Sequence, residues 1–156
     1  MNSYFYIKAF NVYEIVKVDL SENMLDIIKQ QLTNNKKLKS VLDEAAEAYA
    51  DYTDALLWSS YDLEKINLLL ELQYLEIIPI NHIEVHDFDP NYYILIEDGT
   101  DPELYLINAA DSNNAEEKFI TRKLSFFRGR AYDLNEILDH YDMWSYTAPI
   151  DTMINL

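Results

Sequence analysis

The chain has 156 residues, of which 49% are hydrophobic, no cysteine, and a formal net charge of −16 at pH 7. This composition predicts one folded domain with a core and excludes a disordered acidic tail, while the lack of cysteine excludes disulfides and thiolate chemistry and favours a cytoplasmic location. No segment is apolar enough to predict a membrane span, and the negative charge argues against direct binding of nucleic acid or an anionic membrane.

The N-terminal region is predicted to contain two strands and a helix. Residues 3–9 and 12–18 are β-branched and aromatic with partial alternation, which is typical of strands. The sequence leaves open whether a turn at Asn11 separates them or one long strand bends there. A capping-box pattern over Asp19–Glu22 predicts a short helix that ends near residue 32.

Two further helices are predicted next. One begins near Lys37, after a turn at 33–36, and runs to about residue 60. Asp62 is the expected N-cap of a helix over about 63–75.

The remaining segments predict strands, then helices. A strand region at 80–88 precedes a hairpin, since Asp98-Gly99 separates two apolar runs. A helix over 114–127 is expected to end at Gly129, and a second capping box at Asp133 opens another helix. The chain is therefore predicted to be α+β, with one small, mostly antiparallel sheet, formed by the N-terminal strands and the central hairpin, packed with about five helices.

Negative charge is concentrated in residues 41–117, which contain nineteen acidic residues and one basic residue, Lys65. Within the long helix, the acidic residues fall in an arc of roughly 100°. Each pair of like charges three or four residues apart costs a few tenths of a kcal/mol, so this arrangement needs a reason. The opposite arc is predicted to be buried and contains Leu42, Ala45, Ala46, Tyr49, Tyr52, Thr53, Leu56 and Leu57.

Electrostatic complementarity to a basic protein is the function that these acidic residues favour. Carboxylates along a rigid helix resemble a row of backbone phosphates, and a nucleic-acid-binding protein must present a basic surface. Tyrosine residues beside the acids would add contact area at little entropic cost. The residues expected to contact the partner are Asp43, Glu44, Glu47, Asp51, Asp54, Asp87, Asp89, Glu97, Asp98, Asp101, Glu103, Tyr61 and Tyr92.

The composition, which is small, acidic, cysteine-free and tyrosine-rich, resembles that of DNA-mimic inhibitors from phages and mobile elements. This resemblance implies a non-enzymatic anti-restriction or anti-CRISPR protein, with no cofactor and with a basic nucleic-acid-binding protein as its partner. An immunity protein that neutralises a basic nuclease toxin is the alternative. The sequence does not indicate the oligomeric state.

A second alternative is a metal-dependent enzyme. On a strand, His82, Glu84 and His86 would project from one face, and His and Glu are credible ligands of zinc or iron. The spacing is a weak signal, so no metal is expected. The basic segment 118–130 is expected to pair internally with the acidic region.

Overall fold

The structure is a computed structural model with two compact units, one formed by Met1–Pro79 and Met153–Leu156 and the other by Ile80–Thr152. The interpretation of the chain as a single domain stays a prediction, and each unit is described by itself. The residues that the structure describes are 2–19, 23–84, 91–97, 103–111, 113–115, 117–119, 143–146 and 154–156.

The first unit contains a four-stranded sheet in the order β3-β1-β2-β8. Strands β1 (Asn2–Ala9) and β2 (Val12–Asp19) are antiparallel and are joined by a two-residue loop, so a turn does separate the two predicted strands. Strand β3 (Glu76–Pro79) pairs antiparallel with β1, and the short β8 (Ile154–Asn155) pairs parallel with β2. Proline is tolerated in β3 because it is an edge strand.

The described residues of this unit form three helices: α1 (Met24–Asn34), α2 (Lys36–Thr53) and α3 (Leu63–Glu71). The Asn35 side chain caps α2 by accepting hydrogen bonds from the backbone N–H groups of its second and third residues, at 3.0 and 3.3 Å. Asp62 caps α3 in the predicted way, accepting from Lys65 N at 2.9 Å. These caps satisfy N–H groups that have no partner within the helix.

The core of the first unit lies between α2 and the β1–β2 hairpin. Phe5, Ile7 and Ala9 alternate along β1, and Val16 and Val18 along β2, so that each strand turns one face towards the helices. From the helices, α2 contributes its apolar face to the same cluster. The buried α2 residues are Leu38, Val41, Leu42, Ala45 and Ala46.

Two helix boundaries differ from the prediction. The capping-box prediction for α1 is wrong, because Asp19 is the last residue of β2 and pairs with Asn2, and the helix begins only at Met24. The prediction that the long helix continues to residue 60 is also wrong. It ends at Thr53, where Asp54 adopts a left-handed backbone (φ 55°) as the C-cap.

The second unit also contains a four-stranded sheet, in the order β4-β6-β5-β7. Strands β5 (Asn91–Glu97) and β6 (Glu103–Ala109) form the predicted antiparallel hairpin, with Glu97 opposite Glu103. Strand β4 (His82–Glu84) pairs parallel with β6, and β7 (Met143–Tyr146) pairs antiparallel with β5.

The α+β prediction is confirmed, and four of the six strand pairings within the described part of the chain are antiparallel. Two details of it are wrong. The N-terminal strands and the central hairpin form two separate sheets, and the described residues contain four helices, the fourth formed by residues 113–115 and 117–119, rather than about five. The helix predicted after Asp133 and the Gly129 cap lie outside the described residues. None of the described helices has the length and apolar character needed to cross a bilayer.

Candidate interaction surface

Helix α2 presents three exposed carboxylates, Glu47, Asp51 and Asp54, which we call the acidic ridge. Within the part of the chain that the structure describes, none of the three forms an ion pair. Glu47 and Asp51 lie four residues apart on one helix, a spacing that places their side chains as neighbours. Glu44, which was also predicted to belong to this face, is half-buried.

Asp43 departs from the predicted pattern. Its carboxylate lies 3.1 Å from Lys39 Nζ, one helical turn earlier, and accepts a hydrogen bond from the Tyr61 hydroxyl at 2.8 Å. Asp43 is therefore neutralised by the protein's own Lys39, unlike the three acids of the acidic ridge, which have no such partner among the described residues. Lys39 lies four residues before Asp43 on α2, and this spacing brings the two side chains together.

The charges of α2 are also arranged against its own dipole. Lys36, Lys37 and Lys39 lie near the N-terminus, the positive end, whereas Asp51 and Asp54 lie at the C-terminus, the negative end. No acidic residue occurs in the first turn of this helix and no basic residue in the last. An unfavourable charge in a terminal turn costs about 0.3–1 kcal/mol at an exposed position. Helix stability therefore does not explain why acids occupy the C-terminal end.

A depression of about 540 Å³ lies between α2 and the segment that follows the helix. Lys39, Asp43 and Glu47 line one side of it, and Leu57 to Tyr61 line the other. The Trp58 ring packs on the Tyr49 ring with centroids 4.9 Å apart, which holds the segment against the helix. This packing places the predicted contact residue Tyr61 beside the acids of α2.

The Tyr61 hydroxyl is held protonated by its surroundings. Burial and the adjacent Asp43 carboxylate, which accepts its hydrogen bond, raise the pKa of Tyr61 well above the usual value for tyrosine. Because the pKa is raised in the folded state, the stabilisation is fully present below about pH 10, the pKa of an unfolded tyrosine, and is lost as the pH rises above it.

Replacing Tyr61 with phenylalanine should lower the free energy of unfolding at pH 8 by about 1 kcal/mol, because a hydrogen bond to a carboxylate is lost. Above about pH 10 the difference between the variant and the parent should narrow, since the tyrosine then begins to ionise in the unfolded parent while it stays protonated in the folded one, and phenylalanine does not titrate. Urea denaturation at both pH values measures the effect. Tyr52→Phe is the matched control. It should leave the free energy of unfolding unchanged at both pH values, because the Tyr52 hydroxyl bonds to no described residue. Equal effects of the two substitutions would contradict the role of this hydrogen bond.

An exposed apolar patch was missed by the sequence reasoning. Tyr52, Leu56 and Leu57 were predicted to be buried, but they are 74, 90 and 61% exposed. For Leu56 and Leu57, the prediction extended the helical pattern beyond Thr53, where the helix ends and the backbone turns at Asp54. Tyr52 lies in the last turn of α2 and is not among the residues that pack against the core cluster. Thr53 is exposed as well, whereas Tyr49 packs against the core as expected.

Phe10 extends the apolar patch. Its ring is 47% exposed and stacks on Tyr52 with centroids 6.3 Å apart. Phe10 is the first residue of the two-residue β1–β2 loop and has a φ of 55°. A positive φ at this position is usual for glycine and strained for a bulky side chain. We define the apolar patch as Phe10, Tyr52, Leu56 and Leu57.

The second group of predicted contact residues belongs to the other compact unit. Glu103 is exposed, and its Oε2 lies 2.9 Å from His82 Nε2 and accepts from the Tyr105 hydroxyl at 3.2 Å. Tyr92 is half-buried on β5. Glu97 ends that strand, and its side chain lies outside the described part. The remaining predicted residues also lie outside it: Asp87, Asp89, Asp98 and Asp101. Whether this group extends the acidic ridge stays a prediction.

The metal-site hypothesis rests on residues that are only partly described. His82 and Glu84 lie on β4, but His86 lies outside the described residues. The His82 ring stacks on Tyr105 with centroids 4.3 Å apart, and its Nε2 contacts Glu103. Among the described residues, no three or more His, Asp or Glu side chains are grouped closely enough to hold a metal ion.

Of the basic segment 118–130, the described part ends at Phe119. Lys118 Nζ donates to the backbone carbonyl of Asn108, at 2.7 Å, within the second unit. The predicted pairing of the other basic residues with the acidic region lies outside the described residues and stays a prediction.

In comparisons with known proteins, no protein-family model matches the chain, and no curated protein or solved structure matches it significantly.

Proposed function

We propose that this protein is a non-enzymatic acidic inhibitor that binds the nucleic-acid-binding surface of a basic protein. The observation that carries the proposal is the acidic ridge, Glu47, Asp51 and Asp54. The ridge is exposed, it has no ion-pair partner among the described residues, and two of its acids, Asp51 and Asp54, lie at the helix end where negative charge is least favourable.

The ridge is suited to this task because it is rigid and one-sided in charge. Its helix packs against the β1–β2 hairpin through a buried face, so the carboxylates are presented from a fixed backbone. A basic nucleic-acid-binding groove is shaped to receive a row of negative charges. Such a pairing accelerates encounter and becomes weaker as salt screens the charges.

The partner class that we propose is a nucleic-acid-handling protein, and the site of action is the cytoplasm. A defence nuclease or its recognition subunit would make the protein an anti-restriction or anti-CRISPR inhibitor. A toxin nuclease would make it an immunity protein. Both assignments require the same complementarity, and the identity of the captured partner separates them.

Affinity capture tests the proposal. The immobilised protein is incubated with a nuclease-treated lysate of the organism that carries the gene. Bound proteins are eluted first at about 0.1 M and then at about 1 M salt, over which the screening length falls from about 10 to about 3 Å. We expect a basic, nucleic-acid-handling protein to be retained at the low salt concentration and released at the high one.

A competition step makes the experiment specific. Added double-stranded DNA should displace the protein from its partner, since both occupy the same basic surface. Capture of an acidic partner, or of a partner whose retention is unaffected by DNA, would contradict the proposed function.

A further inference from the structure

Apart from Phe10, the apolar patch and the acidic ridge occupy one short stretch of the chain, residues 47–57. Tyr52 lies between Asp51 and Asp54, and Leu56 follows Tyr52 by four residues, so that their Cα atoms lie within about 14 Å of each other. Leu57 and Glu47 line the same depression. Apolar and anionic side chains therefore lie close together around the C-terminal part of α2.

Single exposed leucines are ordinary on a protein surface and need no explanation. Here two consecutive leucines, 90 and 61% exposed, follow a tyrosine that is 74% exposed and is stacked on another exposed ring. Phe10 holds that ring in place from a backbone conformation in which glycine would be easier. Strained residues of this kind cluster at functional sites.

We infer that the apolar patch is the anchor of the interface, and that it receives the apolar side chains of a basic amphipathic segment on the partner protein. This inference rests on the proposed function and specifies the chemistry of the partner. Large, rigid apolar side chains commonly dominate binding energy when a partner buries them, and polar or charged residues around them set orientation and specificity.

Charge complementarity decides between the candidate occupants. A second copy of this chain would bring its own Glu47, Asp51 and Asp54 close to the same three residues, and like charges across an interface are unfavourable. A segment in which lysine or arginine alternates with apolar residues satisfies both parts of the surface at once. We therefore assign the patch to a basic amphipathic partner rather than to self-association.

Two synthetic peptides of equal positive charge test the inference. One contains leucine and lysine spaced to form an amphipathic helix, and the other contains lysine and serine in the same positions. Binding is measured by isothermal titration calorimetry at about 0.1 M and about 1 M salt. We expect both peptides to bind at low salt, and only the leucine-containing peptide to retain measurable affinity at high salt, because apolar contacts are not screened.

The variant for this test replaces Leu56 and Leu57 with serine. It should reduce the affinity for the leucine-containing peptide by about tenfold or more, as expected when two leucines lose a buried contact. Its affinity for the serine-containing peptide should stay at the parent's value. The matched control is Leu25→Ser/Leu63→Ser, which changes two exposed leucines outside the patch, and which should bind both peptides like the parent. Unchanged circular dichroism and urea midpoints verify that both variants fold.

These outcomes distinguish a failure of the inference from a failure of the proposed function. If both peptides bind at low salt but Leu56→Ser/Leu57→Ser binds the leucine-containing peptide as the parent does, the inference is overturned while the proposed function stands. If neither peptide binds at low salt, the proposed function fails as well. If sedimentation shows a dimer that this variant converts to a monomer, the patch is a self-association surface and the inference is overturned.

Discussion

Replacing Glu47 and Asp51 together by lysine is expected to weaken binding of the captured partner by more than about a hundredfold. Like-charge contacts across an interface cost several kcal/mol, and each 1.4 kcal/mol is a factor of ten in affinity. The fold should be retained, because both side chains are exposed and neither forms an ion pair with a described residue.

The stability of the same variant gives a second, independent readout. Asp51→Lys places a positive charge near the negative end of the α2 dipole. Glu47→Lys places one four residues after Asp43, an arrangement that favours an ion pair. We therefore expect the free energy of unfolding to stay unchanged or to rise by up to about 1 kcal/mol. Loss of binding together with undiminished stability would show that these acids serve binding rather than folding.

A matched control separates the ridge from net charge. Glu64 and Glu71 are exposed acids of α3, and replacing both by lysine changes the total charge by the same amount. This control should lower affinity far less than the ridge variant, mainly through slower association. If the two variants weakened binding equally, the partner would respond to overall charge and the ridge would not be the contact.

Leu42→Ala is expected to have the largest effect on stability. Leu42 is fully buried on α2 and belongs to the cluster that joins this helix to the β1–β2 hairpin. Truncating a buried leucine costs about 2–5 kcal/mol, because transfer energy is lost and a cavity remains. A loss of this size is a large fraction of a typical stability of about 5–15 kcal/mol. Urea denaturation at neutral pH measures it.

The control for Leu42→Ala is Leu56→Ala, which makes the same chemical change at a position that is 90% exposed. This control should change the free energy of unfolding by no more than about 0.5 kcal/mol. A comparable loss of unfolding free energy in both variants would mean that Leu56 is buried in solution. The apolar patch would then not be an exposed surface. Together the two substitutions test which half of the predicted apolar arc belongs to the core.

The sequence predicted well wherever a local pattern decides the structure. Alternation predicted β1 and β2, the Asp62 cap predicted the start of α3, and the two apolar runs around Asp98-Gly99 predicted the β5–β6 hairpin. It predicted less well where a local pattern competes with a longer-range pairing. Asp19 has the sequence signature of an N-cap, but its backbone is in the ladder with Asn2. The ladder fixes its conformation, and the helix starts later.

The same distinction between local patterns and long-range contacts applies to the candidate site. The acidity of residues 41–117, and the alignment of Glu47 with Asp51 on one helix face, follow from composition and helical periodicity alone. The hydrogen bond from Tyr61 to Asp43 needed more, because Tyr61 is eighteen residues away and reaches the carboxylate only after the chain has turned back along α2. Pairings between distant residues leave no local signal.

By itself, the sequence determined the class of the protein: an α+β chain, rich in acids that occupy one side of a long amphipathic helix. Only the tertiary structure decided where that helix stops, which acids remain without a partner among the described residues, and that Tyr52, Leu56 and Leu57 face solvent. The physical reason is that periodicity reports which residues share a face. Whether the face is covered depends on what else the chain packs against it.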